Sequence, residues 1–260
     1  MKSKIIFTAF LFFSLTFFAQ NTIEASDIMK SIKAGKTVSF QNATIVGTLD
    51  FTYMDDALEK LPRKKKTSWW NTNNNNLIKK TIKVSISFTN CIFKDDVLAY
   101  IPDEDSGYTF TANFDNNVKF KNCDFKGKAM FKYSRFEKNT DFSGATFGDD
   151  NTFKWAEFMS ASSFQNTKFT ERSTFKYAKF KNNVSFANSI FEDSAVFKYT
   201  QFNDGVSFNN TNFEEDLNIK YMKVLGEFNI SKMNVDYEID SKYTQINGKS
   251  FNKYLLESRN

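Results

Sequence analysis

The sequence predicts an all-β solenoid, specifically a right-handed quadrilateral parallel β-helix with a 22-residue coil and a short helical cap at each end. The first observation is the spacing of phenylalanine, of which the chain has 32. From Phe120 to Phe213, phenylalanines follow one another at alternating intervals of five and six residues. A helix would show intervals of three and four, and a strand intervals of two. A fixed 11-residue repeat instead indicates identical units stacked along one axis.

The second observation is a small or β-branched residue two positions before each phenylalanine, such as Ala145 before Phe147. Residues two apart in an extended segment point to the same side, so both members of each pair are predicted to face inward. Each 11-residue unit is therefore predicted to contain two three-residue strands, joined by corners of two and three residues.

The third observation is a longer period that sets the size of the coil. Phenylalanine, lysine and an aromatic residue follow one another at 131–133, 153–155, 175–177 and 197–199, and Ile219 to Tyr221 continue the series. The alternate units lack this motif, so it marks a 22-residue period, and one coil has four sides. Strands of successive coils would stack about 4.8 Å apart. The crossover rule for parallel strands favours right-handed coiling.

Residues 1–20 have the pattern of a secretory signal peptide, with Lys2 and Lys4 before an apolar run from Ile5 to Phe18. An uncleaved membrane anchor is the alternative, but spanning a bilayer takes roughly 20 apolar residues and this run is shorter. We therefore expect a secreted or periplasmic protein with no stable membrane insertion after signal cleavage.

Residues 21–37 are predicted to form an N-terminal helical cap. Ser26 would begin a short helix that runs to Lys33, and Gly35 would stop it. A cap is expected because an open coil would expose strand edges and phenylalanine faces.

Residues 236–260 are predicted to form the cap at the other end, with an irregular link at 236–248. Phe251, Tyr254 and Leu255 then stand three and four apart, as on one face of a closing helix.

The predicted solenoid spans residues 38–235 and is interrupted by insertions at 55–82 and 94–108. Loops tolerate insertions and stacked strands do not, so both are predicted to be loops. The first contains a basic cluster that precedes two tryptophans and is a candidate contact for an acidic envelope polymer or lipid head groups, with a basic loop that has no such partner as the alternative. This cluster consists of Arg63, Lys64, Lys65, Lys66, Trp69 and Trp70.

The unit of a small residue, any residue, a large apolar residue and a two-residue corner resembles the pentapeptide-repeat family. Ala145-Thr146-Phe147 and Ala178-Lys179-Phe180 match it directly. The extra residue at every second corner, and phenylalanine in place of the usual leucine, are similar to a Phe-rich, 11-residue double-repeat subclass. The resemblance covers about 38–235 and implies a right-handed quadrilateral β-helix. It implies little about function, because members serve diverse roles; DNA mimicry belongs to acidic members, and this chain has a formal net charge of +5.

The 22-residue period places lysines and aromatic residues in rows at one corner, which we call the candidate edge. Such lysines could accept an anion or an acidic polymer, and aromatic rows stack on sugar rings. The alternative is that the rings stack on one another while the lysine stems keep the edge soluble. The candidate edge consists of Lys132, Tyr133, Lys154, Trp155, Lys176, Tyr177, Lys198, Tyr199, Lys220 and Tyr221.

Three further rows have simpler explanations. An acidic row could bind Ca²⁺ but lacks an enclosing loop, so a solvated edge is favoured. An asparagine row suits tight corners, because asparagine tolerates left-handed backbone. A strip of Thr152, Thr174 and Val196 is too short and too interrupted for an ice-binding face. The acidic row is Asp149, Glu171, Asp193 and Glu215, and the asparagine row is Asn122, Asn166, Asn188 and Asn210.

Cys91 and Cys123 occupy the same inward column and are predicted to lie one above the other in adjacent coils. Their Cα atoms would then be within reach of a disulfide, and an exported protein meets oxidising conditions. Stacked side chains point the same way, however, so two buried thiols are the favoured state over a bond.

The function expected from these features is that of an exported, non-enzymatic β-solenoid acting as a rigid structural or protein-interaction module of the cell envelope. The chain has no histidine, no glycine-rich phosphate loop and no recognisable nucleophile and base, so we expect no catalysis, cofactor or metal. The partner would be an unknown protein or an envelope polymer and not nucleic acid, and a homodimer stays open. The alternative function is carbohydrate or anionic-polymer binding through the candidate edge.

Overall fold

In the computed structural model, which describes residues 21–61 and 76–257, short parallel strands wind into coils with four flat faces. Four parallel sheets run across the repeats, so the predicted β-solenoid is confirmed. The predicted signal peptide at 1–20 and the basic cluster from Arg63 to Trp70 lie outside the described residues.

The chain passes through the four faces in a fixed order, which we number one to four. Face one contains Val38–Gln41, Ile86–Thr89, Val118–Lys121, Thr140–Asp141, Ser162–Ser163, Val184–Ser185, Val206–Ser207 and Phe228–Asn229. Face two contains Asn21–Glu24, Ala43–Val46, Ile92–Phe93, Asp124–Phe125, Thr146–Phe147, Lys168–Phe169, Ile190–Phe191, Asn212–Phe213 and Asn234–Val235. Face three contains Leu49–Asp50, Val97–Leu98, Ala129–Met130, Asn151–Thr152, Ser173–Thr174, Ala195–Val196, Leu217–Asn218 and Ile239–Asp240. Face four contains Leu77–Ile82, Tyr108–Phe114, Arg135–Phe136, Glu157–Phe158, Lys179–Phe180, Gln201–Phe202, Lys223–Val224 and Gln245–Ile246, with the antiparallel strands Tyr100–Asp103 and Lys249–Ser250 added to it.

Inward phenylalanines fill the coil, and their rings stack in columns along its axis. Phe125 and Phe147 are partners in adjacent coils, with ring centroids separated by 4.8 Å and planes 1° apart. Rings from different columns meet edge to face, as Phe164 and Phe175 do at 5.4 Å and 88°. Both geometries are favourable for aromatic pairs, so each phenylalanine makes favourable ring contacts along its column and across the coil.

Small inward residues complete the interior, and five of their hydroxyls in the described chain each donate to the backbone carbonyl oxygen 25 residues earlier. Thr200 Oγ1, for example, donates to the carbonyl oxygen of Phe175 at 2.8 Å. Buried polar groups need such partners, so serine and threonine are tolerated in an otherwise apolar column. The five donors are Thr167, Ser189, Thr200, Thr211 and Thr244.

The corner between faces one and two carries the predicted asparagine row. Asn122, Asn166, Asn188 and Asn210 all have left-handed backbone, with φ between 51° and 59°. Asparagine adopts this conformation at lower cost than most residues, which confirms the interpretation of the row as corner residues. Their side chains also bond along the row, as Asn210 Nδ2 does to Asn188 Oδ1 at 3.0 Å.

Helix α1 (Ala25–Lys33) covers the first coil and buries Ala25, Ile28 and Ile32. The N-cap residue is Glu24, not the predicted Ser26, because strand Asn21–Glu24 pairs with face two and the helix begins where that strand ends. No side chain caps the helix. Gly35 follows with φ 74°, in the left-handed conformation typical of a helix stop.

The first insertion differs from the predicted loop at both of its described ends. Helix α2 (Met54–Leu58) lies at its start, and strand Leu77–Ile82 pairs in parallel with Thr109 to Phe114 of face four. Ile82 is buried inside the coil, so the chain rejoins the solenoid within the range 55–82.

The second insertion is also shorter than predicted. Val97–Leu98 stacks between Leu49–Asp50 and Ala129–Met130, so these residues belong to face three. The sequence pattern missed them because Ala99 stands where the neighbouring coils have phenylalanine, and Ala99 is fully buried there. What leaves the coil is a β-hairpin, in which Tyr100–Asp103 pairs antiparallel with Tyr108 to Thr111.

The C-terminal link predicted to be irregular contains two solenoid strands, Ile239–Asp240 and Gln245–Ile246. Ser241 occupies a position that phenylalanine or isoleucine fills in the preceding coils, which hid the repeat. Helix α3 (Phe251–Glu257) then closes the end: Phe251 is buried, and Tyr254 Oη donates to the carbonyl oxygen of Phe228 at 2.8 Å. None of the helices in the described ranges is long and apolar enough to cross a membrane.

Candidate functional site

The candidate edge lies at the corner between faces three and four, where each coil from Ala129–Met130 onward contributes one lysine and one aromatic residue. Every aromatic residue there has left-handed backbone, with φ between 59° and 64° from Tyr133 to Tyr221. This conformation is uncommon for a bulky side chain. The structure extends the row by one coil to Lys242 and Tyr243, which the sequence analysis did not include because residues 236–248 were interpreted as a link.

The aromatic rings of the edge stack on one another. Trp155 and Tyr177 have centroids 4.0 Å apart, Tyr177 and Tyr199 4.8 Å, and Tyr199 and Tyr221 4.6 Å, all with planes within 9° of parallel. Tyr221 and Tyr243 continue the stack at 4.7 Å. Between Trp155 and Tyr243, each ring face therefore contacts another ring, and a sugar ring cannot stack there.

The lysines of the edge lie beside these rings. Lys176 Nζ is 5.2 Å from the ring centroid of Tyr177, and Lys198 Nζ is 5.5 Å from that of Tyr199. Lys132 Nζ also donates a hydrogen bond to Tyr100 Oη at 2.9 Å. These are cation–π distances, so the rings hold ammonium groups at defined places along the edge.

The lysines also act on one another. Burial lowers the pKa of the Lys154 ammonium below its ordinary value, and the positive charges of Lys132 and Lys176 lower it further. In the described part of the chain, no lysine of this edge is ion-paired with a carboxylate. The edge is therefore a line of uncompensated positive charge.

At two other places on the solenoid, charged side chains form ion pairs between coils. On face four, Arg135 contacts Glu157 at 2.8 Å and Lys179 contacts the same carboxylate at 3.2 Å. Partial burial raises the pKa of Glu157, but the two cations outweigh it and hold this pKa below its ordinary value. Lys168 and Glu192 form another inter-coil pair at 2.8 Å.

The threonines of face three have a structural role that the sequence analysis missed. The Lys154 backbone N–H donates to Thr152 Oγ1 at 3.2 Å, and the Lys176 N–H donates to Thr174 Oγ1 at 3.3 Å. A residue that bonds the backbone two positions later stabilises a turn. The outward threonines thus fix the corner at these two coils, and a hydroxyl two positions before Lys154 and Lys176 was the available signal.

The acidic row lies at the corner between faces two and three. Asp149 Oδ1 accepts the backbone N–H of Asp150, and Asp193 accepts that of Ser194. No group of three or more acidic, cysteine or histidine side chains in the described ranges is arranged to hold a metal ion.

Cys91 and Cys123 are placed one above the other as thiols. The backbone N–H of Asp124 donates to the carbonyl oxygen of Cys91 at 2.9 Å, which fixes the two cysteines in adjacent coils. Both side chains are buried. Contact with Cys91 and burial in the apolar core raise the pKa of Cys123 above that of an ordinary thiol.

A comparison with known families matches the regular coils to the model for pentapeptide repeats, in 9 copies at residues 110–154, 131–179, 156–200 and 175–222. All ten residues of the candidate edge as predicted lie within these stretches. No curated protein and no solved structure matches the chain.

Proposed function

The chain is a pentapeptide-repeat protein, and from that premise we propose that it is an exported, non-enzymatic β-solenoid serving as a rigid structural or protein-interaction module of the cell envelope. The observation that carries this proposal is the sealed interior. The phenylalanines from Phe120 to Phe213 that fill the coil are each at most 2% exposed. A ligand or partner therefore meets only the outer faces and corners.

The shape supports a role as a spacer or a docking rod. Face two contains nine strands, which at about 4.8 Å per strand gives a stack about 40 Å long. Helices α1 and α3 cover its two ends. Parallel neighbours along the whole length make bending costly, because every coil is hydrogen-bonded to the next.

The outer surface supports a non-catalytic role. An open groove of about 400 Å³ on face one is lined by small polar residues such as Ser163, Ser185 and Ser207. Each of these hydroxyls accepts a backbone N–H of the corner that follows, at 3.2–3.4 Å. They are thus engaged in turn formation, and the chain has no histidine to activate them.

Export is proposed from the pattern of residues 1–20. The test is to express the chain with a C-terminal tag in a bacterial host, separate cytoplasm from envelope and medium, and measure the intact mass. We expect a shortened product outside the cytoplasm. Full-length protein that stays in the cytoplasm, at the same level as a variant lacking 1–20, would contradict export.

The second candidate function is binding of an anionic polymer at the candidate edge. It is favoured by one observation: the lysines of the edge have no carboxylate partner, whereas Arg135, Glu157 and Lys179 on the adjacent face four are ion-paired. Recognition of neutral carbohydrate by ring stacking, which the sequence left open, is not favoured, because the ring faces are occupied by one another.

A further inference from the structure

We propose that the candidate edge binds a linear acidic polysaccharide, one with a carboxylate on each sugar, which lies lengthwise along the solenoid with about one sugar per coil. This inference rests on the proposed function, because an exported envelope protein is one that meets such polymers. It goes further by specifying the ligand class, its orientation and the lysines that bind it.

The first argument is charge. The six lysines from Lys132 to Lys242 recur once per coil and so form one row parallel to the axis. On one side of the row, the outward residues of face three from Met130 to Asn218 are uncharged, and the first carboxylate on that side is Asp240, two positions before Lys242. On the other side, between Arg135 and Lys223, the only outward carboxylate is Glu157, and two cations already bind it. Within the described strands, no carboxylate competes for the five lysines from Lys132 to Lys220, so an external anion can neutralise them.

The second argument is spacing. Successive lysines are one strand apart, about 4.8 Å. A sugar ring in an extended polymer has a similar length, so a uronic acid chain presents about one charge per lysine. Duplex DNA carries one charge per about 1.7 Å, and a single row of lysines would leave most of its phosphates unpaired. The row therefore fits a polymer of low, regular charge density.

The third argument is preorganisation. Cation–π contacts keep Lys132, Lys176, Lys198 and Lys242 within 5.0–5.5 Å of the ring centroids of their neighbouring tyrosines. Lysine ordinarily loses much side-chain entropy when it binds a ligand. Part of that entropy is already lost here, and the mutual repulsion of the ammonium groups is relieved when an anion binds. Both effects strengthen binding of a polymer more than binding of one sugar.

The experiment measures binding of an oligomer of six β-1,4-linked uronic acids, one for each lysine of the row, to the purified mature protein by calorimetry. The comparison ligands are the single uronic acid, the neutral hexamer with the same linkage, and a polyphosphate with the same number of charges. The test variant is Lys154→Gln with Lys176→Gln and Lys198→Gln. The matched control removes the same charge from exposed lysines at other corners, as Lys121→Gln with Lys138→Gln and Lys181→Gln.

We expect the acidic hexamer to bind more tightly than the other three ligands, and more weakly as salt increases. The test variant should lose at least about tenfold in affinity, equivalent to 1.4 kcal/mol, while the control stays within about twofold. If the triple variant fails to fold, Lys176→Gln alone must still weaken binding.

Equal loss in the control variant would overturn the proposal by showing attraction to net charge alone. Equal binding of the neutral hexamer, or tighter binding of polyphosphate, would overturn the ligand class, and so would failure of the acidic hexamer to bind. Because binding is measured on purified protein, a negative result leaves the localisation test of the proposed function untouched. Retention in the cytoplasm would reject export whatever the binding result.

Discussion

The solenoid has two kinds of corner residue with left-handed backbone, and each kind offsets the energetic cost of that conformation in a different way. Asparagine at 122 or 210 needs little compensation, because it adopts positive φ readily and its side chain bonds along the row. Tyrosine at 177 or 199 has no such advantage. Its ring gains two stacking partners instead, so the cost of the backbone conformation is offset by contacts between coils.

This explanation predicts an unusual order of stability at Tyr177. Tyr177→Ala removes the ring and keeps a Cβ in a left-handed conformation, whereas Tyr177→Gly removes the ring and relieves the backbone. We expect both variants to be less stable than the unaltered protein, with alanine less stable than glycine by about 1–2 kcal/mol. Denaturant unfolding measures the difference. Asn188→Ala and Asn188→Gly, at the other left-handed corner, serve as controls and should show the same order. An alanine variant as stable as the glycine variant would contradict the account.

Asn151 is a second residue whose surroundings make a prediction. It points into the coil, is 3% exposed, and neither amide atom has a hydrogen-bond partner within the described chain. Its neighbours in the column are Ala129 and Ser173, so the site accepts a small side chain. An unsatisfied buried amide is destabilising. Asn151→Ala should therefore raise the free energy of unfolding by about 1 kcal/mol.

The matched control is Ser173→Ala, one coil away in the same column. Ser173 Oγ donates to the carbonyl oxygen of Glu171 at 3.2 Å, so its removal should lower stability and not raise it. Thermal melting of the two variants measures both changes in stability and tests whether they have opposite signs. If Asn151→Ala is as destabilising as Ser173→Ala, the asparagine amide is satisfied in solution.

The strands and corners form a repeating element in which the outward residue bonds the corner that follows. Asp141 accepts from the Ser143 N–H at 2.9 Å on face one, and Asn218 accepts from the Lys220 N–H at 3.2 Å on face three. Small hydroxyl, amide and carboxyl groups can do this and larger ones cannot. The polar strips on these two faces are therefore part of the fold, and binding residues are better sought at the corners.

The regular part of this architecture was predictable because phenylalanine marks each inward position without a break. The strands next to Ala99 and Ser241 were not predicted, because these residues stand where phenylalanine or isoleucine is expected. The strands nevertheless pair with those of the neighbouring coils. The 22-residue period also predicted that the lysines and rings share one edge. It could not show whether the rings stack on each other or stay free for a ligand, because both interpretations require the same spacing. Left-handed backbone at tyrosine was likewise not evident, since residue type argues against it.

The charged ladder on face four predicts a dependence on pH. The folded-state pKa of Glu157 lies below its ordinary value of 4.5, so the folded state favours the charged carboxylate. The resulting stabilisation is present above about pH 4.5 and is lost as the pH falls through the folded-state pKa. Because the pair is partly exposed, its size should stay below about 1 kcal/mol.

Unfolding of the unaltered protein and of Glu157→Gln at a series of pH values measures this effect. The stability difference should be constant near neutral pH and shrink toward zero in acid. Glu171→Gln, at an exposed carboxylate on another corner, is the control and should give a small difference at every pH. If the difference in stability between Glu157→Gln and the unaltered protein instead grew as the pH fell, the pKa of Glu157 could not be lowered in the folded state, and the prediction would be wrong.

The whole molecule is a stack in which each coil contacts only its neighbours, so its stability should be distributed along the axis. The two ends are closed differently. At the N-terminal end, α1 contributes three buried side chains and follows a strand that is part of face two. At the C-terminal end, half-buried Ile230, Met233 and Val235 show that the last coil is covered less completely.

Phe251 is the residue on which closure of the C-terminal end depends most. Its ring is buried and meets Phe228 edge to face at 6.3 Å, and α3 also holds Tyr254 against the same coil. Phe251→Ala should loosen the last coil without disturbing the centre, because coils beyond the nearest neighbour feel the change only weakly. Native-state hydrogen exchange should show faster exchange at the amides of 239–246 and unchanged exchange at 153–186.

The matched control is Leu256→Ala in the same helix, where the side chain is 67% exposed and exchange should not change. Comparing the two variants separates loss of the buried ring from a general weakening of α3. If Phe251→Ala accelerated exchange equally in the central and terminal coils, the solenoid would unfold as one cooperative unit. The end caps would then stabilise every coil, and the rigidity proposed for the rod would depend on its termini and not on its phenylalanine columns.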